Sequence, residues 1–276
     1  MCSATVKKEL KRSLTNLFNN LYIYRKSYKS AIEDNILPDP KVYLMPMTLK
    51  NDFPTEVIIK NPKATGKVIE CNWYERWNYI RQKTNPVRIY CTELQYYNNM
   101  CSDINYWKQR TERGGGVIAK NKWMKLCLER LKWLSNKKVK VTQDILKHLK
   151  NYRTLTFCNN IDQTELLGKY CINSYNKLSG EYLTLFNERK IKHITTCNML
   201  NEGVNLVQCQ IGVYNNLNSS MTIIKQRAGR ILRHPNPVLV IPFYKGTREE
   251  ELLNIMKEDY NPERTTVITN ISSIKI

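Results

Sequence analysis

Long apolar runs are missing from this sequence. No segment approaches the roughly 20 consecutive apolar residues that a bilayer-spanning helix requires, and residues 1 to 20 lack the apolar stretch of a signal peptide. These absences exclude the membrane-spanning and secreted classes. They predict a cytoplasmic protein without a membrane partner, and the hydrophobic content of 42% is enough for an ordinary folded core.

Paired metal-binding cysteines are also missing. The nine cysteines occur singly, with no Cys-x-x-Cys spacing and no nearby histidine pair. Several stand in apolar runs, as Cys158 does after Leu155-Thr156-Phe157. This pattern predicts buried thiols in a reducing compartment and no metal site.

Acidic residues are scarce. The chain has 24 Asp and Glu against 44 Lys and Arg, which gives a formal net charge of +20. Such an excess favours a polyanionic partner, nucleic acid before an anionic membrane. Between Arg110 and Lys150 there are 12 Lys or Arg and 3 Asp or Glu. This stretch is either a surface that follows phosphates or a solvated helical face.

Two nucleotide-binding patterns are absent. A phosphate-cradling loop has the form Gly-x-x-x-x-Gly-Lys-Ser/Thr, but neither Gly-Lys pair fits it. Gly66-Lys67 is followed by Val68 and has Asn61 at the first glycine position, and Gly168-Lys169 is followed by Tyr170 and has Gln163 there. There is no Asp-Glu dipeptide to hold Mg²⁺ and activate water. Within these 276 residues the chain therefore lacks the elements for binding ATP by itself.

What is present divides into three predicted ranges. Residues 1–50 form a tail with a short strand at Val42-Tyr43-Leu44-Met45, and residues 51–150 form a mainly helical, basic insertion or linker with a loop at Gly114-Gly115-Gly116. Residues 151–276 alternate short apolar strands with helices, which predicts an α/β domain with a parallel sheet and helices on both faces. The predicted strands are 155–158, 193–197, 210–214 and 238–243; the predicted helices are 163–175, 221–232 and one beginning at Thr247.

The strongest constellation is Gln226-Arg227-Ala228-Gly229-Arg230-Ile231-Leu232-Arg233. On a helix, Gln226, Arg230 and Arg233 share one face, while Ile224, Ala228 and Ile231 lie roughly opposite and can pack on a sheet. Two fixed guanidinium groups suit a phosphate that is being transferred. Gly229 is expected to allow close approach of another backbone. By itself, such a helix is also compatible with an exposed basic surface.

This octapeptide resembles motif VI of superfamily 2 helicases, Gln-Arg-x-Gly-Arg-x-x-Arg. Residues 195–206, with Glu202-Gly203-Val204-Asn205, resemble motif V, and residues 154–159 resemble motif IV, in the family's order. Ser3-Ala4-Thr5 resembles motif III. The resemblance implies a RecA-like C-terminal domain; the branches suggested are those of phage and restriction-enzyme subunits or of Swi2/Snf2-like members.

The resemblance also implies roles for individual residues. Arg233 is the expected arginine finger, Arg230 a γ-phosphate or inter-domain contact, and Gln226 their orienting partner. The remaining expected sites are Gly203 and Asn205 at ATP, Thr195, Thr196 and Asn159 at nucleic acid, and Ser3 and Thr5 in coupling hydrolysis to movement. ATP and Mg²⁺ are the implied cofactors.

If Ser3-Ala4-Thr5 is motif III, residues 1–50 are the remnant of a first RecA-like domain whose ATP-binding part lies elsewhere. The chain is then a fragment, a split subunit or a frame with a misassigned start, and its partners are that N-terminal ATPase domain and a nucleic acid, with DNA favoured over RNA. Two alternatives remain open: a non-catalytic nucleic-acid-binding module with a RecA-like fold, and a decayed remnant with neither activity.

Overall fold

The computed structural model describes residues 16–17, 26–197, 206 and 208–276. The chain forms two compact units: a larger one from residues 1–47 and 131–276, and a smaller one from residues 48–130. The predicted boundary at residue 50 lies close to the first division. The second division falls near residue 130 instead of 150, because residues 131–149 supply buried side chains such as Leu134, Ile145 and Leu149 to the larger unit.

The larger unit contains a seven-stranded parallel sheet, with the spatial order β10-β1-β9-β8-β5-β7-β6. The predicted parallel sheet flanked by helices is thereby confirmed. Its strands are β1 (Lys41–Met47), β5 (Thr154–Phe157), β6 (Cys171–Ile172), β7 (His193–Thr196), β8 (Ile211–Tyr214), β9 (Val238–Tyr244) and β10 (Thr265–Val267). Strands β5, β8 and β9 are buried along their whole length, and β8 and β9 accordingly carry no alternation of apolar and polar residues.

The strand predicted in the N-terminal tail belongs to this sheet. Strand β1 pairs with β9 over seven residues and with β10 on its other side. Val42, Tyr43 and Leu44 are all buried, so both faces of the strand are covered. Residues 41–47 are therefore an integral part of the larger unit.

Helices flank the sheet. They are α1 (Tyr28–Glu33), α5 (Val139–His148), α6 (Ile161–Leu167), α7 (Ser179–Asn187), α8 (Met221–Ile231) and α9 (Arg248–Lys257). The helix predicted over 163–175 is wrong at its C-terminal end, because α6 ends at Leu167 and Cys171–Ile172 form a strand. Helix α7 was not predicted. The predicted start at Thr247 is confirmed, since its side chain accepts from the Glu249 N–H.

The smaller unit contains a three-stranded sheet with the order β2-β4-β3. Its elements are β2 (Glu56–Lys60), β3 (Ile69–Asn72), α2 (Arg76–Ile80), β4 (Val87–Cys91) and α3 (Glu93–Glu112); helix α4 (Gly116–Lys137) begins here and ends in the larger unit. The prediction of a mainly helical segment omitted these three strands. Strand β4 does carry a sequence signal, since Val87, Ile89 and Cys91 are buried and alternate with Arg88 and Tyr90.

Candidate functional site

The motif-bearing segments meet at the carboxyl edge of the seven-stranded sheet. In register, Phe157 at the end of β5 lies opposite Thr196 of β7 on one side and Tyr214 of β8 on the other. The rings of Phe157 and Tyr214 are 4.9 Å apart. Open α/β sheets bind their ligands outside this edge, so the ends of these segments, Phe157 to Asn159 and Thr196, lie where a site is expected.

Helix α8 carries the motif that resembles motif VI. Its N-terminus is capped by Ser220, whose hydroxyl accepts from the Ile223 N–H. The predicted apolar face is confirmed, because Ile224, Ala228 and Ile231 are all buried. Gly212 of β8 permits this packing, since a Cβ there would stand 2.9 Å from the Ile231 side chain.

The arginines of this motif differ in exposure. Arg227 is 1% exposed, Arg230 is 8% exposed, and Arg233 is exposed. Helix α8 ends at Ile231, one residue before the predicted end, so Arg233 lies in the segment after the helix and not on it as predicted. Gln226, at an intermediate burial, is on the helix as predicted.

Arg227, for which the resemblance implied no role, is the most enclosed of the three arginines. Its Nη1 donates to the main-chain oxygen of Asn216 at 3.2 Å, and its Cζ lies 5.2 Å from the centre of the Phe157 ring. Burial lowers the pKa of its guanidinium, while Tyr214, then Cys158, act in the opposite direction. Arg227 thus joins α8 to the ends of β5 and β8.

Tyr28 of α1 packs against the motif helix. Its hydroxyl donates to the main-chain oxygen of Lys225 at 2.5 Å. Burial raises its pKa to about 12; the charge of Asp259 adds to this rise and that of Arg230 opposes it. The close neighbour predicted for Gly229 exists, but it is the Tyr28 hydroxyl and not a backbone.

The two threonines at the end of β7 have different surroundings. Thr195 is fully buried and its hydroxyl donates to the Thr164 main-chain oxygen at 3.0 Å. Thr196 is 3% exposed, and its Oγ1 has no hydrogen-bond partner within the part of the chain that the structure describes.

Asn159 is held by a buried polar network that the sequence did not indicate. The Asn159 N–H donates to Gln163 Oε1 at 2.9 Å, and Asn215 Nδ2 donates to the same oxygen at 3.4 Å. Gln163 Nε2 donates to Ser135 Oγ at 2.7 Å, and the Thr142 hydroxyl donates to Asn215 Oδ1 at 2.8 Å. The network fixes the segments that follow β5 and β8 against α4 and α5.

Four predicted site residues lie outside the described residues: Ser3, Thr5, Gly203 and Asn205. Over the described ranges, no group of three or more His, Cys, Asp or Glu side chains could hold a metal ion. Within the same ranges, no helix combines the length and apolarity needed to cross a bilayer.

Residues 137–235 match the family model of the helicase conserved C-terminal domain. The match covers α5 to α8 and strands β5 to β8, and thus the carboxyl-edge residues described above. None of the curated proteins matches the chain.

Solved structures of helicases are similar to part of the chain. S. cerevisiae Dbp5 bound to RNA and ADP BeF3 is 14% identical with a TM-score of 0.42, over 49% of this chain and 39% of that chain. The DUF1998 helicase MrfA bound to DNA is 17% identical with a TM-score of 0.37, over 49% and 21%. The Pyrococcus furiosus Hef helicase domain is 16% identical with a TM-score of 0.34, over 56% and 37%.

TM-scores of this size do not by themselves establish a relationship, and the chain covers 39%, 21% and 37% of the length of these three structures. The family match covers about a third of the chain, and the parallel sheet with flanking helices is the RecA-like architecture that the motifs implied. Over residues 137–235 this chain is similar to the helicase conserved C-terminal domain.

Proposed function

We propose that this chain supplies the C-terminal RecA-like half of an ATP-dependent helicase or translocase that acts on nucleic acid, together with an ATP-binding RecA-like domain in the same or another chain. The observation that carries the proposal is the family match over residues 137–235, which includes the motif helix α8. The position of this helix beside the carboxyl edge of the sheet supports it.

Arg233 is the proposed arginine finger. It is exposed and lies just beyond the end of α8, so its side chain is accessible to a nucleotide held by a second domain. Its planar, permanently charged guanidinium matches the oxygens of a phosphoryl group. Arg230, which is largely buried, is the proposed γ-phosphate contact, and Gln226 is the proposed orienting residue. Gly203 and Asn205 are proposed to lie near ATP.

The cofactor pair fits this chain only in part. Two arginines suit the phosphates of ATP, whereas Mg²⁺ prefers oxygen ligands such as carboxylates. Over the described residues no acidic cluster is available for a metal. We therefore assign Mg²⁺ and most of the ATP contacts to the ATP-binding domain; the bound nucleotide would supply the phosphoryl transfer that drives movement.

Nucleic acid is the proposed substrate, and the +20 charge favours a polyanion. Thr196 and Asn159, at the ends of neighbouring strands, are the proposed backbone contacts, with DNA preferred over RNA. Thr195 supports them from within the sheet, since its hydroxyl already binds the main chain of α6.

The test is to assemble the chain with its ATP-binding domain and measure nucleic-acid-stimulated ATPase activity. We expect Arg233→Ala to lower kcat by about 10³-fold or more with a small change in KM for ATP. Arg81→Ala, which changes an exposed arginine of the smaller unit, is the matched control. An unchanged kcat in Arg233→Ala would remove the finger assignment.

A second outcome separates the proposal from the non-catalytic alternative. If the assembled protein binds oligonucleotides tightly but hydrolyses no ATP, the chain is a nucleic-acid-binding module. ATP hydrolysis that requires nucleic acid, and whose stimulation falls as salt is added, supports the proposed helicase or translocase function.

A further inference from the structure

A cleft lies in the smaller unit where α3 ends and α4 begins. Its volume is about 370 Å³, close to the lower end of the size range of small-ligand pockets. It is lined by Tyr106, Gln109, Arg110, Arg113, Gly114 and Gly115.

Three of these side chains are organised by the helix. Tyr106, Arg110 and Arg113 follow one another at i, i+4 and i+7, and therefore point to the same side of α3 and its C-cap. Trp107 orients two of them: its ring packs edge-on against Tyr106 at 5.5 Å, and the Arg110 guanidinium lies 5.2 Å from its centre. The Tyr106 ring nevertheless remains 58% exposed.

Two glycines complete the lining of the cleft. Gly114 has φ +88°, and the Gly115 N–H donates to the Arg110 main-chain oxygen at 2.9 Å. A Cβ on Gly115 would stand 2.6 Å from that oxygen, so no other residue fits there without a shift. The predicted loop at 114–116 is confirmed at Gly114 and Gly115, which lie between α3 and α4, whereas Gly116 is already the first residue of α4.

The chemistry of the cleft is that of a nucleoside phosphate site. All six lining residues are described and none is acidic, while the adjacent Glu112 faces Lys108 at 3.9 Å. Two guanidinium groups offer fork-shaped donors to phosphate oxygens, and an exposed aromatic ring offers a platform for a base. A positive charge near the C-terminus of α3 stabilises the helix dipole, and this alone would explain the presence of Arg110. It does not explain why the Tyr106 ring is oriented and exposed.

We infer that this cleft binds one nucleotide unit of a single-stranded nucleic acid, with the base stacked on Tyr106 and its phosphates on Arg110 and Arg113. The inference rests on the proposed function in taking nucleic acid as the polymer. It adds a contact outside the helicase C-terminal domain, in a unit with 15 Lys and Arg against 8 Asp and Glu.

The experiment uses the full chain and a fluorescein-labelled 20-mer of deoxythymidine, with anisotropy as the readout. We expect the double variant Arg110→Ala/Arg113→Ala to bind at least about tenfold more weakly, with a salt slope that is smaller by roughly 1.4. Tyr106→Ala is expected to lose about five- to a hundredfold. The controls are Lys120→Ala and Tyr74→Ala, which change an exposed cation and an 81% exposed tyrosine of the same unit.

Competition and crosslinking complete the test. Ultraviolet crosslinking of the 20-mer to the peptide that contains Tyr106 supports the inference. Displacement of the 20-mer by thymidine monophosphate at equal nucleotide concentration overturns it, because the site would then be one for a free nucleotide.

Two results distinguish a failure of the cleft assignment from a failure of the proposed function. If the unmodified chain binds no oligonucleotide, the inference and the nucleic-acid part of the proposed function both fail. If the cleft variants bind like the controls while Arg233→Ala still abolishes stimulated ATPase activity, the cleft assignment alone is overturned.

Discussion

The hydroxyl of Tyr28 stands 2.8 Å from the position that a Cβ on Gly229 would occupy. Because the same hydroxyl donates to the main-chain oxygen of Lys225, it cannot withdraw without losing a hydrogen bond. The glycine of the motif helix is therefore required by the side chain of a helix that lies about 200 residues earlier in the sequence.

Gly229→Ala should consequently destabilise the protein. Overpacking of this kind costs about 1–3 kcal/mol, which outweighs the gain of roughly 1 kcal/mol from helix propensity. Urea denaturation measures the free energy of unfolding. Gly180→Ala is the matched control, because Gly180 is helical and has open space around its Cβ position. In the double variant with Tyr28→Phe, the loss should be smaller than the sum of the single losses; strict additivity would argue against the contact.

Arg227→Ala should lower the free energy of unfolding by about 2–4 kcal/mol, because it removes the donor to the Asn216 main-chain oxygen and leaves a cavity beside Phe157. Arg227→Met keeps most of the volume without a desolvated charge, so its loss should be smaller. Arg233→Ala, at an exposed position, should change stability by no more than about 0.5 kcal/mol. Equal losses in Arg227→Ala and Arg233→Ala would contradict the packing described.

His193 should make stability depend on pH. Burial lowers its pKa from 6.5 to about 4. Between these values the unfolded chain binds a proton that the folded chain does not, so stability is highest above pH 6.5 and falls as the pH drops toward 4. The loss attributable to this group is at most about 3 kcal/mol.

Denaturation at pH 7.5 and pH 5 in parallel checks this dependence. His193→Gln should reduce the difference, whereas His234→Gln should retain it. If the His193 variant showed the same pH dependence as the unmodified protein, another group would have to be responsible.

The sequence predicted the parts of the site that local periodicity and spacing specify. Strands β5, β7, β8 and β9 were placed within one or two residues because buried parallel strands are short apolar runs. The same holds for helix α8, whose apolar positions repeat at the helical spacing. The smaller strands of residues 56–91 were missed, since two exposed apolar residues of β2, Val57 and Ile59, obscure the alternation.

The sequence by itself therefore determined the class of the larger unit, the motif helix and the identity of the arginines. Only the tertiary structure decided which arginine is enclosed, that Tyr28 lies against Gly229, and that Lys41–Met47 joins the sheet. Local patterns are set by neighbours three or four positions apart, whereas these features depend on contacts between distant segments, which form only when the chain packs around a common core.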